Sequence, residues 1–174
     1  MSRKDIASLP LEIERKFLIE YPDLAWLEHY PARRKTEMVQ TYLISGKGEA
    51  RRVRQCTENG DVTYFRTSKR KISSVTRIEI EDQLEREAYL ALLEEAAPEM
   101  TPIVKTRYTI PFEGQSIEVD VYPFWNDRAI AEVELENEEQ DCRFPEQIRV
   151  IAEVSGDERY SNYSLARSRG MIES

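Results

Sequence analysis

Histidine is nearly missing from this chain: His29 is the one copy among 174 residues. A Ser-His-Asp or Cys-His nucleophile would need that residue, and no Gly-x-Ser-x-Gly string accompanies it. A zinc site built on histidines is excluded. Any metal must be held by oxygen, which favours magnesium or manganese. Cysteine is scarce too: Cys56 and Cys142 lie far apart and form no Cys-x-x-Cys unit, so reduced thiols are expected rather than a disulfide. No apolar run approaches the roughly 18 residues of a membrane-spanning helix. The start, Met1-Ser2-Arg3-Lys4-Asp5-Ile6, lacks the hydrophobic core of a secretory signal, so a cytoplasmic location with no membrane partner is expected. A basic surplus is also absent: the net charge is −8, which argues against nucleic acid as a partner. It leaves room for an anion held in a local basic pocket. No glycine-rich phosphate loop is present, because Gly46-Lys47-Gly48 lacks the Walker spacing and reads as a turn. No low-complexity linker divides the chain. Residues 1–10 read as an N-terminal extension and residues 11–174 as one domain.

What the chain has in abundance is charge, 33% of its residues, arranged on strand-like segments. Those segments are Leu11 to Ile19, Glu37 to Ser45, Ala50 to Thr57, Val62 to Arg70, Ser74 to Glu81, Ile103 to Pro111, Ser116 to Tyr122 and Ala129 to Glu136. Glu58-Asn59-Gly60-Asp61 and Glu113-Gly114 are hairpin turns. Helices are predicted over Pro22–His29, with proline in the first turn, and near Ser161–Arg167. A further helix follows Asp82, which serves as its cap with Glu85 three residues on, so that Leu84, Ala88, Leu92 and Ala96 share a face. The class is α+β and β-rich. Eight mainly antiparallel strands fit a closed β-barrel with flanking helices.

Residues i and i+2 of a strand point to one face. Glu12, Glu14 and Lys16 therefore share a face, as do Arg52 with Arg54, Lys69 with Lys71, Arg77 with Glu79 and Glu81, Lys105 with Arg107, Glu118 with Asp120, and Glu132 with Glu134. Any single pair reads most simply as solvated surface. The residues between them, Ile13, Val53, Ile78, Ile80, Val119, Val133 and Leu135, would fill the barrel if the charges face out. They would pack under helices if the charges face in. The pattern alone leaves both arrangements open. Facing in, guanidinium forks suit phosphate oxygens and clustered carboxylates suit divalent cations, the parts that phosphoryl transfer needs. Glycoside hydrolysis would use paired carboxylates but has no role for rings of bases. Trp26, Trp125 and the tail Arg159–Ala166 read as packing and capping.

In order along the chain stand Leu11-Glu12-Ile13-Glu14-Arg15-Lys16-Phe17, Gln40-Thr41-Tyr42-Leu43, Arg52-Val53-Arg54, Thr67-Ser68-Lys69, Arg77-Ile78-Glu79-Ile80-Glu81, Lys105-Thr106-Arg107, Glu118-Val119-Asp120, Ala131-Glu132-Val133-Glu134 and Tyr160–Ala166. This series resembles the CYTH superfamily, the triphosphate tunnel metalloenzymes, and most closely its short bacterial inorganic triphosphatases. The superfamily also holds class IV adenylate cyclases, thiamine triphosphatases and fungal-type RNA triphosphatases. The resemblance implies an inward charged face lining an eight-stranded tunnel that takes a small-molecule triphosphate. It implies a hydrolase that removes the terminal phosphate of tripolyphosphate with Mg2+ or Mn2+, two ions at the site. By position, Glu12, Glu14, Asp120, Glu132 and Glu134 are the implied metal ligands, and Lys16, Glu14 and Glu134 the implied catalytic groups. Arg52, Arg54, Lys69, Arg77, Lys105 and Arg107 are the implied phosphate binders, with Glu79, Glu81 and Glu118 in support. Cyclase chemistry on ATP, a non-catalytic polyphosphate or nucleotide sensor and a lipocalin-like carrier are the alternatives, and a homodimer is compatible. The chain departs from the family pattern at flanking positions, with Ala50 and Arg51 before the arginine pair, Arg66 before Thr67, and Gln115-Ser116 where a tryptophan is usual.

Overall fold

Alternation drives the architecture: one face of nearly every strand is charged or polar, and the other carries β-branched or aliphatic residues. The computed structural model describes residues 9–172, so residues 1–8 of the expected N-terminal extension lie outside the described part. The strands are β1 (Leu11–Glu20), β2 (Arg34–Leu43), β3 (Ala50–Glu58), β4 (Asp61–Lys71), β5 (Thr76–Leu84), β6 (Ile103–Phe112), β7 (Gln115–Val121), β8 (Arg128–Glu134) and β9 (Val150–Glu153). Their order is β5-β4-β3-β2-β6-β7-β8-β1-β9, and a further β5–β1 pairing closes eight of them into an antiparallel barrel. Two-residue turns hold the tight hairpins. Asn59 and Gly60 both have positive φ (51° and 83°), the backbone of a turn whose twist matches the strands it joins.

The seam of the barrel runs along β1. Its first residues pair with β5, Leu11 opposite Ile78 and Ile13 opposite Thr76. Farther on, the same strand pairs with β9, from Phe17 opposite Glu153. Between these ladders, Glu14 N donates to Val75 O (3.0 Å) and Lys16 N to Ser155 Oγ (2.9 Å). The ninth strand is too short, and too exposed on every residue, to show an alternating pattern in the sequence.

The apolar faces point outward and are covered in patches. Ile19, Ile110, Ile117, Val119, Ala131 and Val133 pack with Leu27 of α1 (Leu24–His29) and with Ile148 and Phe144 of the loop after β8. On the far side, Leu43 and Val53 pack with Tyr89 of α2 (Arg86–Leu92). The third helix, α3 (Asn162–Ser168), seats Leu165 and Ala166 against Leu18, Tyr42, Ile103 and Ile130 and caps one end of the barrel.

The helices differ from expectation in detail. Asp23, not the proline turn, caps α1, its carboxylate accepting from Trp26 N (3.2 Å). Asp82 does not cap a helix: β5 runs on to Leu84, and Asp82 accepts from Arg66 Nη2 across the β4–β5 ladder (2.9 Å). The β4 partner extends far enough to hold those residues in the sheet, overriding the local capping signal. The packed face of α2 is accordingly Tyr89 with Leu92, continued by Leu93 in the 3-10 turn that follows, while Ala88 is exposed. Ile80, expected under a helix, is 52% exposed and belongs to none of the three clusters that the helices cover.

Candidate active site

Directly opposed residues of antiparallel strands share a face. Lys16 lies opposite Glu132, Arg52 opposite Thr67, Lys69 opposite Glu79, and Arg107 opposite Asp120. The closed sheet turns these side chains inward. Of the charged side chains expected on this face, Glu14, Arg52, Arg54, Lys105, Asp120 and Glu132 are each less than 10% exposed. The structure thus selects the inward arrangement that the alternation left open, and it rules out an apolar lipocalin-like interior.

The interior holds a cavity of about 730 Å³. Glu12, Glu14, Lys16, Arg52, Arg54, Lys69, Arg77, Glu79, Glu81, Arg107, Glu118 and Glu132 all border it. Charges of both signs are interleaved. Arg77 Nη2 is 3.2 Å from Glu14 Oε1, and Lys69 Nζ lies 3.5 Å from Glu12 and 3.1 Å from Glu79. Lys16 Nζ is 3.8 Å from Glu132, and Arg54 Nη2 donates to Glu81 Oε2 at 2.7 Å. Arg107 reaches Glu118 at 2.6 Å and Asp120 at 2.7 Å.

Three of the expected site residues stand apart. Lys105 and Asp120 do not border the cavity; they form a wholly buried ion pair of 2.7 Å behind it. Both Asp120 oxygens are occupied, one by Arg107 Nε and the other by Lys105 Nζ and Arg107 Nη2. Glu134 lies opposite Glu14 in the ladder and so on the tunnel face, but it is exposed at the last residue of β8 and outside the cavity lining.

Burial makes these ionisations costly. Burial, and then the neighbouring Glu79 carboxyl, pushes Glu12 up to about 9. Burial also raises Glu14, with the Glu132 charge adding to it, and brings Glu118 up to about 7. Glu79 goes the other way: burial opposes it, but Glu12 and then Lys69 bring it down to about 2. Glu12 Oε2 and Glu79 Oε2 are buried beside Lys69 Nζ yet make no well-formed hydrogen bond; one proton shared between the two carboxyls would satisfy both. Among the bases, burial and then Arg107 lower Lys105 to about 8, and burial and then Arg52 lower Lys69.

The buried carboxylate oxygens that make no well-formed hydrogen bond, Glu12 Oε2 and Glu79 Oε2, fit a hard divalent cation in their donor chemistry. Among the described residues, no three acidic side chains are already drawn together at metal-ligand spacing. Glu12 and Glu14 are instead held by Lys69 and Arg77.

Residues without an expected role also frame the site. Ser155 holds the Lys16 backbone, and Tyr160 O accepts from Lys16 Nζ at 3.5 Å. Ser161, Asn162 and Tyr163 border the cavity, while Leu165 and Ala166 pack and Ser161 Oγ caps α3. The tail is therefore both packing and wall. Gly46, Lys47 and Gly48, the turn between β2 and β3, line the mouth. No periodicity marks these loop residues, so alternation could not find them; the stretch Tyr160–Ala166 stands out only through the family resemblance. His29 is exposed beside Ala25 O (2.7 Å), away from the cavity, and Cys56 and Cys142 are free thiols. Trp125 is an edge aromatic whose Nε1 donates to Gly170 O (3.0 Å).

Residues 10–168 match the family model of the CYTH domain. The chain is 32% identical over 161 residues to an inorganic triphosphatase of Acetivibrio thermocellus, covering 90% of this chain and 94% of that protein. The solved structure of the inorganic triphosphatase NE1496 superposes with a TM-score of 0.57 at 28% identity, covering 90% and 94% of the two chains. The Pyrococcus horikoshii protein PH1819 shares the fold, with a TM-score of 0.57 at 24% identity over 74% of this chain and 80% of that one. The barrel, its inward charges and these likenesses agree: the chain belongs to the CYTH family.

Proposed function

We propose that this protein is a divalent-metal-dependent triphosphatase that hydrolyses the terminal phosphoanhydride of inorganic tripolyphosphate inside the barrel. The observation that carries the reading is the interleaving of buried acids and bases around one cavity, Lys69 between Glu12 and Glu79 and Arg77 beside Glu14. An anion entering there competes with Glu12, Glu14, Glu79 and Glu81 for the cations that now hold them. Arg52, Arg54, Lys69, Arg77 and Arg107 then bind phosphoryl oxygens, the two-pronged guanidinium groups giving register along the chain. Lys105 acts from behind through its pairing with Asp120, which fixes the Arg107 fork. Lys16, beside Glu132 on the cavity wall, neutralises charge near the bond that breaks.

The carboxylates released from their bases, Glu12 and Glu14 with Glu132 across the β1–β8 ladder, would hold Mg2+ or Mn2+, with Glu134 joining from the rim and Asp120 supporting from within. When bound, the cation offsets phosphoryl charge and lowers the pKa of water, chemistry that needs no histidine. Glu79, Glu81 and Glu118 orient the bases they touch. The reading carries with it a cytoplasmic location, residues 11–174 as one tunnel domain, no nucleic-acid partner, and room for a homodimer.

The test is a panel of tripolyphosphate, ATP, thiamine triphosphate and long polyphosphate, each with magnesium and with manganese, followed by phosphate release. Tripolyphosphate should be turned over fastest, with no cyclic AMP from ATP. Cyclic AMP formation, or metal-dependent binding without phosphate release over hours, would contradict the reading.

A further inference from the structure

Gln40 is the most anomalous polar side chain in the barrel. It is 0% exposed, yet neither its carboxamide oxygen nor its nitrogen has a hydrogen-bond partner. More than about 90% of buried polar groups in folded proteins are bonded, so a side chain with both atoms unpaired calls for a ligand or a change of partners. Its place in the sheet says which. Gln40 lies directly opposite Arg54 on β3, on the inward face and two residues from Tyr42, which faces Arg52. The same wall contains two further orphans, Arg52 Nε and Arg54 Nε. Donors and an acceptor that would satisfy one another thus stand in adjoining positions, unpaired. The reason is visible at Arg54: its Nη2 is drawn to Glu81 Oε2 (2.7 Å), an oxygen that also accepts from Thr67 Oγ1 at 3.1 Å.

We propose that Gln40 is a positioning residue for the triphosphate, engaged when Arg54 leaves Glu81 for a phosphoryl oxygen. Turned toward the anion, the guanidinium gives its Nε–H to the Gln40 carboxamide oxygen. Gln40, which does not itself border the cavity, thereby holds the Arg54 fork toward the anion from behind. A neutral amide suits this spot because Arg52, Arg54 and Arg107 already crowd it with positive charge, and a fourth base would repel them. The inference rests on the tunnel being a triphosphate site and concerns a residue that has no role in that reading so far.

The experiment compares wild type with Gln40→Met and Gln40→Glu, measuring melting temperature without anion, and KM and kcat for tripolyphosphate with magnesium. Methionine keeps the volume and removes two unpaired polar atoms, so the melting temperature should hold or rise. KM should rise about tenfold with kcat within about twofold, the signature of a lost binding contact. Glutamate keeps the shape but captures Arg54 for itself, so KM should rise further. A residue that merely fills the wall predicts an unchanged KM, whatever the melting temperature does. That pattern, or a wild-type KM in Gln40→Glu should the methionine variant not fold, overturns the inference. Wild type that neither binds nor hydrolyses tripolyphosphate overturns the reading of the tunnel and this inference with it. Hydrolysis by wild type with an unaltered Gln40→Met KM overturns the inference alone.

Discussion

Lys105 Nζ donates to Asp120 Oδ2 across 2.7 Å, with neither side chain exposed to solvent. A pair so enclosed is costly to form and far costlier to break on one side. Asp120 also anchors the Arg107 fork, so Asp120→Asn leaves two buried cations short of a counter-charge. It should lower unfolding free energy by about 3–5 kcal/mol. Urea denaturation checks this, and an unchanged midpoint would show that the pair is not the keystone of this wall.

Glu14 and Glu134 face each other in the ladder yet occupy different surroundings, one buried beside Arg77 and the other exposed at the rim. Their substitutions should therefore differ in severity. Glu134→Gln should lower phosphate release by about 10–100-fold, the scale of an outer contact to a metal site. Glu14→Gln should lower it further. Steady-state assays at saturating metal would reveal the order, and equal losses would mean that the rim position is as close to the chemistry as the interior one.

Gly156 has φ of +76°, and a Cβ built on it would sit 2.8 Å from Ser74 Cβ. Here the loop before β5 meets the segment after β9, closing the seam beside Glu14 and Lys16. Gly156→Ala suffers both backbone strain and a clash, and should cost about 1–3 kcal/mol. Because Ser155 holds the Lys16 backbone, activity should fall along with stability. A fully active, fully stable variant would show that the seam tolerates opening.

The Arg15–Glu153 pair ties β1 to β9 through two 2.8 Å hydrogen bonds. Arg15 holds the Glu153 carboxyl below its ordinary value of 4.5. With the folded value the lower of the two, the unfolded chain binds the proton first. The contribution is present above about 4.5 and is lost as pH falls through the folded value. The pair is partly exposed, so the effect should be small. Arg15→Gln should flatten the fall in stability on acidification from pH 5 toward pH 3, seen in urea midpoints across that range. An identical slope in both proteins would remove Glu153 from the acid response.

Much of this was legible because a strand has only two faces. Val53, Val119 and Val133 between charged neighbours marked an apolar face opposite the charged one, and the Asn59-Gly60 turn set the register of β3 on β4. What alternation could not supply was the choice of face, since an acid–base ring and a solvated surface share one pattern. Nor could it show depth: Lys105 and Arg107 look equivalent in sequence, yet one lies behind the wall and the other on it. Asp82 misled because a capping signal is local, whereas its pairing with Arg66 comes from another strand. Ser155 and Tyr163 carry no periodic mark, and only the closure of the chain brings them to the cavity.

The most direct measurement is metal-dependent phosphate release from tripolyphosphate by wild type, Glu14→Gln and Glu139→Gln, all three confirmed as folded. Glu14 sits inside the tunnel beside Arg77, whereas Glu139 is exposed in the turn after β8 and does not border the cavity. Wild type and Glu139→Gln should release phosphate at matching rates, and Glu14→Gln should lose activity by about 100-fold or more. Full activity in Glu14→Gln would contradict the account.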